Sequence, residues 1–425
     1  MSEKDRFLTA QEAAAELGVT LPTLYAYASR GMLRSEPVPG ETRAKRYPRE
    51  DVLRLKERKE LRRDPERAAP KALHWGAPVL ESAITLVENG RLYYRGHDAV
   101  VLARTWSVEE VAALIWTGER SAAADLFTGE AAILPDGLAA LLDRRCLSPI
   151  ERCQVAVPLA GAADLSAWDL RPRSVMRTGV RILRLLATTA AGAGSPASDS
   201  IGSDPIAAVL QSAWAPTRPA AAEALGAALI LCADHELNVS AFTARCVASA
   251  SATPWDVVSA GLAALKGGKH GGYTERVEAL FREAGTAERA RETVAARLRR
   301  SEEIPGFGHT LYPDGDPRGA ALLEIAAAMS RDSSTGDLAT ALIEAARELI
   351  GEHPTVDFGL VTLARGFGLP ERTPLALFAL GRSIGWIGHA LEEYALDRLI
   401  RPRAAYVGEI PEERPGEQAG TLQET

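Results

Sequence analysis

Three of the chain's seven histidines stand in settings unlike a helix interior: Ala-Asp-His235-Glu-Leu-Asn, Lys-Gly-Gly-Lys-His270-Gly-Gly and Gly-Phe-Gly-His309-Thr. Glycine lets backbone approach a bound group closely. An imidazole presented from such a helix junction can meet a ligand together with neighbouring amides. The ordinary alternative for His270 is a loop histidine at a turn. Asp357 lies between Val356 and Phe358. A partly dry setting raises a carboxylate's affinity for a proton and suits it to be a base. An aspartate here can equally be the cap of a helix running from Phe358 to Arg365. Arg382 stands in the apolar helical run Leu375 to Ile387, where a bare guanidinium is costly to bury. It needs an anion, either Glu392 or Glu393 or a substrate carboxylate held in a bidentate fork. Arg318, in Asp316-Pro317-Arg318-Gly319, poses the same question on a loop, where a solvated arginine is the ordinary expectation.

The elements that must position these groups are helices. From near Leu73 onward Ala and Leu recur at helical spacing, as in Leu338, Leu342, Ala345 and Leu349, so the main body is read as nearly all helix. Ala190 to Asp204, rich in Gly, Ala and Ser, reads as a loop, and the polar stretch Glu409 to Thr425 as a loose tail. The first sixty or so residues have a different character. Thr9-Ala-Gln-Glu12 is a capping box that starts a helix. Gly18 ends it, and Thr20 with Pro22 starts a second helix that runs to about Arg30. Glu36 to Tyr47, with its prolines and basic residues, reads as a hairpin-like loop before a third helix from about Arg49. Arg62 to Lys71, charged and carrying Pro65 and Pro70, reads as a linker.

Composition narrows the class. A chain of 425 residues divides naturally into two or three domains, and 46% apolar with 25% charged residues fits a soluble globular protein. The richest apolar run, Ala224 to Ala233, is too short to cross a membrane. MSEKDRFLTA has no secretory signal pattern, so a cytoplasmic protein is expected. Cys146, Cys153, Cys232 and Cys246 form no C-x-x-C pair, which suggests neither a zinc site nor a disulfide framework; reduced, mostly buried thiols are expected. The net charge of -7 argues against a nucleic-acid coat. Residues 1–71 nevertheless carry 16 Lys or Arg against 12 Asp or Glu, a net of +4 that leaves -11 for the remainder. Two parts with different partners are therefore plausible on charge alone.

Taken in order, ADHELN, LKGGKHGG, GFGHTLYPDGDPRG, TVDFG, GRSIGWIGHALEE and RLIRPRAAYVG resemble the citrate synthase family. The earlier LYYRGHDAVVLARTWSVEEVAALIWTGER extends the resemblance from about Leu80 to Gly408. The helix, turn, helix and basic loop at the start resemble winged helix-turn-helix modules of the MerR and excisionase type. The resemblance implies a mainly α protein: a helix-turn-helix module (1–62), a linker (63–72), a large helical domain (73–271 and 379–408), a small domain (272–378) that closes over substrates, and a tail (409–425). It implies a homodimer with composite sites and a place in the tricarboxylic acid cycle. Asp357 would remove a methyl proton from acetyl-CoA while His270 hydrogen-bonds the thioester oxygen. His309 would polarise the keto group of oxaloacetate. His235, Arg318 and Arg382 would hold oxaloacetate, with Arg401 supplied by the neighbouring subunit; a helix-terminal cation is the alternative for Arg401. No cofactor and no metal are implied, because the CoA thioester is a substrate.

The chain departs from the family pattern at two places. GFGHTLYP stands where the family usually reads GFGHRVYK, and GGYTE where it usually reads GGANE. Two cations that could meet CoA are thereby lost, and Lys266 and Lys269 are candidates to compensate. A close variant would take propionyl-CoA and make 2-methylcitrate. Two readings of another kind rest on the N-terminal module: a DNA-binding regulator that senses CoA esters or dicarboxylates, and a docking module without DNA. Against DNA, the expected recognition helix Leu21 to Arg30 has a single basic residue.

Overall fold

The computed structural model describes residues 7–30, 32–37, 45–49, 51–53, 55–56, 80–128, 147–192, 204–329, 333–404 and 406–409. The expected linker, the tail from 410, Cys146 and most of the expected loop at 190–204 lie outside them. The chain separates into two compact units, Met1–Glu81 and Ser82–Thr425.

In the first unit, Thr9 and Glu12 form the expected capping box: the Thr9 hydroxyl accepts from the Glu12 amide at 3.3 Å and Glu12 Oε2 accepts from the Thr9 amide at 2.8 Å. The helix Ala10–Leu17 ends at Gly18 with φ 59°, and Leu21–Ser29 follows. Phe7–Thr9, Lys45–Pro48 and Glu36–Pro37 make a three-stranded antiparallel sheet in the order first, third, second along the chain. Residues 49, 51–53 and 55–56 are helical, where the third helix was expected. Ala13, Leu17, Leu24, Leu33, Tyr47, Val52 and Leu55 make a small apolar core of its own.

Among its described residues the second unit is helical apart from loops and one meander that sequence reading did not anticipate: strands Thr85–Glu88, Arg91–Tyr94 and His97–Asp98. Its turns are two-residue loops in which both residues have positive φ, Asn89 (53°) and Gly90 (71°), then Arg95 (49°) and Gly96 (85°). Such turns match the twist of paired strands, and Asn-Gly is their strongest sequence signal.

The helices bury two apolar clusters. The larger draws on Trp116, Leu183, Leu229, Val257, Leu262, Trp386 and Ile387 among many others; the smaller is built from residues between Val277 and Val361. Two helices serve both: Pro317–Met329 places Leu322 in the larger and Leu323 against the smaller, and Val356–Phe367 places Leu360 in the larger and Phe358 in the smaller. The stripe Leu338, Leu342 and Ala345 of Ser333–Ile350 is buried as its spacing required. The long helix Thr373–Leu396 is almost wholly buried from Thr373 to Ala390, and each large apolar side chain it covers contributes about 1.5–3 kcal/mol. Gly261 lets the helix Pro254–Leu265 come close to it, since a Cβ there would lie 2.5 Å from the Trp386 ring. No described helix is long and apolar enough to cross a membrane.

Candidate active site

The chemistry-bearing groups collect at the ends of helices, where loops fix them. His235 follows the helix Ala221–Leu231 in a short turn, and Asn238 caps the next helix, Val239–Ser249. His270 sits in the tight junction between Pro254–Leu265 and Tyr273–Ala284, its amide bonded to the Gly267 carbonyl at 2.9 Å. This is the presentation from a helix junction that its glycines suggested. His309 lies on a loop pinned to residues 353–355 by Gly308 N to His353 O and Thr355 N to Gly306 O, both 2.9 Å. Gly306 and Gly308, with φ of 91° and 82°, permit that path.

Asp316 organises the next group. Its two oxygens accept from Arg318 Nε at 2.9 Å and Nη2 at 2.8 Å, and Oδ2 also accepts from the Val356 amide at 3.0 Å. One carboxylate thus orients Arg318 and fastens the start of the helix that bears Asp357. The expectation of a solvated Arg318 is overturned: it is 2% exposed, because Asp316 two residues upstream offers a bidentate partner. Asp357 stands second in Val356–Phe367, whose cap position is Thr355, so it is not the cap of a helix starting at Phe358. Its Oδ1 is out of solvent with no hydrogen-bond partner, and Oδ2 accepts from the Thr355 hydroxyl at a long 3.4 Å.

Arg382 answers the question its sequence posed. Glu392 and Glu393 are not its partners; they grip the fully buried Arg245, through Nη1 and Nε at 2.9 Å each. Arg382 donates from Nε to the Cys232 carbonyl at 2.8 Å, while Nη1 and Nη2 are buried without a partner. A guanidinium 1% exposed with two bare nitrogens is a receptor for an anion. Its Cζ lies 4.9 Å from the centre of the Phe378 ring, and Phe378 in turn meets His270 edge-on with ring centres 5.9 Å apart. His235 and His309 face one another at 5.4 Å between ring centres, and Tyr312 bonds His235 Nε2 at 2.9 Å.

The electrostatics follow from burial and the two arginines. Desolvation, then Arg382 and Arg318, bring the His270 pKa down to about 3. Desolvation and Arg318 bring that of His309 to about 4, and His235 is also held far below its ordinary value, by burial first. All three rings are therefore neutral near pH 7. Burial works the other way on Asp357 and, against the pull of Arg318, pushes its pKa up to about 7. The Leu311 amide donates to His309 Nδ1 at 3.1 Å, which leaves the ring proton on Nε2. His270 Nε2 meets the Ser240 hydroxyl at 2.8 Å. Ser240 also receives the Trp386 indole N–H at 3.2 Å and donates to Asn238 Oδ1 at 2.7 Å. Its single proton can turn from Asn238 to His270, which then carries its own proton on Nδ1.

The structure therefore brings His235, His270, His309, Arg318, Asp357 and Arg382 into one neighbourhood of contacts and fields. Arg401 is exposed beyond the last helix, and among the described residues no contact ties it to this cluster. Lys266, a candidate to compensate for lost cations, is engaged with Glu151 at 3.0 Å. Sequence reading missed Ser240, Tyr312, Asp316, Arg245 and Trp386. Only Asp316 carried a local signal, its spacing from Arg318. Cys153 and Cys232 are buried, and Cys246 half-buried, as free thiols.

Neutral imidazole donors, buried arginines and a carboxylate poised near neutrality equip an acyl-transfer enzyme that works on an anionic substrate. The family model "Citrate synthase, C-terminal domain" matches residues 72–403, and "MerR HTH family regulatory protein" matches residues 8–64. The chain is 30% identical to citrate synthase 2 of Bacillus subtilis and 31% identical to citrate synthase of Haloferax volcanii, over 78% and 79% of its length and 94% of each relative. It is 29% identical to 2-methylcitrate synthase of Shewanella oneidensis, over 79% of its length and 94% of that relative. Among solved structures it is similar to the citrate synthase of Thermoplasma acidophilum in ternary complex with carboxymethyl coenzyme A and oxaloacetate. That match has a TM-score of 0.70 and 25% identity over 81% of this chain and 97% of the other. The chain belongs to the citrate synthase family, joined to a MerR-like helix-turn-helix module. It is an acyltransferase of the citrate synthase type, and such enzymes need no cofactor, the CoA thioester being a substrate.

Proposed function

We propose that the chain condenses acetyl-CoA with oxaloacetate and hydrolyses the product to citrate and CoA. The observation that carries this is the presence in one site of a bare buried Arg382 guanidinium and of Asp357, half-buried with its Oδ1 out of solvent and its pKa near 7. Asp357 takes a proton from the acetyl methyl carbon, and neutral His270, given the Ser240 proton at Nε2, donates from Nδ1 to the thioester oxygen. The enol carbon attacks the keto carbon of oxaloacetate, and the keto oxygen, bonded by His309 Nε2–H, takes up a proton. Water then attacks the citryl carbonyl, the carbon–sulfur bond breaks, and CoA leaves as the thiol. Arg318, Arg382 and His235 hold the dicarboxylate. Preorganised donors at the developing charge supply most of the rate in such a scheme.

Residues 272–378 act as the closing domain, which fits a second apolar cluster drawn wholly from 277–361. The active form is a homodimer in which Arg401 of one copy completes the site of the other. Arg401 is exposed, and Tyr406 and Val407 farther along the chain are 74% and 95% bare, which favours a covered role for this arm. The protein works in the cytoplasm, at the entry to the tricarboxylic acid cycle. Free thiol released from acetyl-CoA only when oxaloacetate is present tests the reading; silence with both acetyl- and propionyl-CoA refutes it. A higher rate with propionyl-CoA makes it a 2-methylcitrate synthase, which relatives of that name keep in view.

A second reading, favoured by the match of residues 8–64, is that the N-terminal module binds DNA. Three of its six described cations are already ion-paired, Arg34 with Asp51, Arg46 with Glu36 and Lys56 with Glu16, while Arg30, Lys45 and Arg49 stand exposed outside those pairs. A gel shift on short duplexes at low salt decides: a salt-sensitive complex supports DNA binding, and none leaves the module a docking domain.

A further inference from the structure

Tyr273 is the residue where the glycine pair after His270 meets the first of the two departures from the family pattern. Its amide donates to the His270 carbonyl at 2.8 Å, so the side chain leaves the backbone one turn beyond the imidazole. Its hydroxyl donates to Glu303 Oε1 at 2.6 Å, and Arg276 holds the other Glu303 oxygen at 3.1 Å while lying 5.8 Å from the Tyr273 ring centre. The half-buried ring packs against the smaller apolar cluster. Burial first, then Glu303 and the charge of Asp357, raise the pKa of the hydroxyl against the pull of a hydrogen bond with the Gly306 backbone. The ring therefore runs from the His270 turn to Glu303, at the head of the loop leading to His309, within the field of the Asp357 charge. None of the chemical steps above uses it.

We propose that Tyr273, clamped by Glu303 and Arg276, is the wall of the acyl pocket that limits how long an acyl chain the enzyme accepts. The inference rests on the proposed roles of His270 and Asp357. With the thioester oxygen at His270 and the acidic carbon at Asp357, the next carbon of a longer acyl group must leave this point between the two. A phenol ring there occupies room that the alanine usual in GGANE leaves open. One methylene accommodated or refused in a pocket changes specificity by roughly 10–200-fold.

The test uses the full chain and compares kcat/KM for acetyl-CoA and propionyl-CoA, with oxaloacetate, in wild type, Tyr273→Ala and Tyr273→Phe. Both thioesters are measured on one preparation, so the ratio is independent of the folded fraction. Calorimetric Kd values for the two thioesters are taken beside it. Tyr273→Ala should raise the propionyl-to-acetyl ratio by at least about tenfold. Tyr273→Phe, which keeps the ring and loses one hydrogen bond, should move it by less than about fivefold. A working wild type whose ratio is unmoved by Tyr273→Ala overturns the wall and leaves the condensation standing. No turnover with a shifted binding ratio keeps the wall and overturns the condensation. Neither binding nor turnover of any thioester overturns both.

Discussion

Replacing Asp357 by asparagine keeps its shape and removes its charge, so the consequence can be worked from its environment. Its pKa moves from 3.8 in the unfolded chain to about 7 in the folded one, chiefly by burial. Because the folded value is the higher, the carboxyl's contribution to stability is complete below the unfolded pKa and is lost as pH rises through the folded one. Linkage puts the loss at about 2 kcal/mol by pH 5 and about 4 kcal/mol by pH 8.5. The asparagine side chain cannot ionise and suffers neither. The stability of Asp357→Asn relative to wild type should therefore grow by about 2 to 3 kcal/mol between pH 5 and pH 8.5. Six of the seven tryptophans lie at or beyond residue 106, in the second unit, so urea unfolding followed by tryptophan fluorescence reports chiefly the catalytic body. Turnover moves the opposite way: loss of a positioned base lowers kcat by roughly 10²–10⁴-fold. Wild-type kcat/KM should also rise with pH along a single ionisation near 7. A stability gap that stays flat from pH 5 to pH 8.5 refutes the raised pKa and the reasoning built on it.

Two further substitutions probe the rest of the site. Arg382→Met removes a buried cation with two bare nitrogens. The free variant should be as stable as wild type or more so in urea, while its oxaloacetate Kd by calorimetry weakens by roughly a hundredfold. Ser240→Ala deprives His270 Nε2 of its hydroxyl partner; kcat should fall by about tenfold or more with KM for oxaloacetate little changed, and equal losses in both would show only a damaged fold.

What could be read from the sequence was whatever local chemistry announces. Glycines around His270 and His309, and an arginine inside the apolar run 375–387, mark their own oddity, and the structure brings them together. The capping box at Thr9 and the stop at Gly18 are likewise local rules, obeyed to the residue. Ser240, Tyr312 and Trp386 escaped because each looks ordinary on its own helix or loop and gains meaning only from partners 30, 77 and 146 residues away. Arg382 and Arg245 show the limit more sharply. Both are arginines in apolar helices, and only packing decides that Arg245 takes Glu392 and Glu393 while Arg382 is left open. The meander at 85–98 is different: Asn89-Gly90 announced it, and the surrounding helical periodicity masked the signal.

The central claim is that a new carbon–carbon bond forms between the acetyl methyl and a keto carbon. Methyl-labelled ¹³C acetyl-CoA, incubated with unlabelled oxaloacetate and followed by carbon NMR, tests it most directly. The account predicts that the methyl signal becomes a methylene of citrate as free CoA appears. Labelled acetate with free CoA, and no such methylene, would show a thioesterase and contradict it.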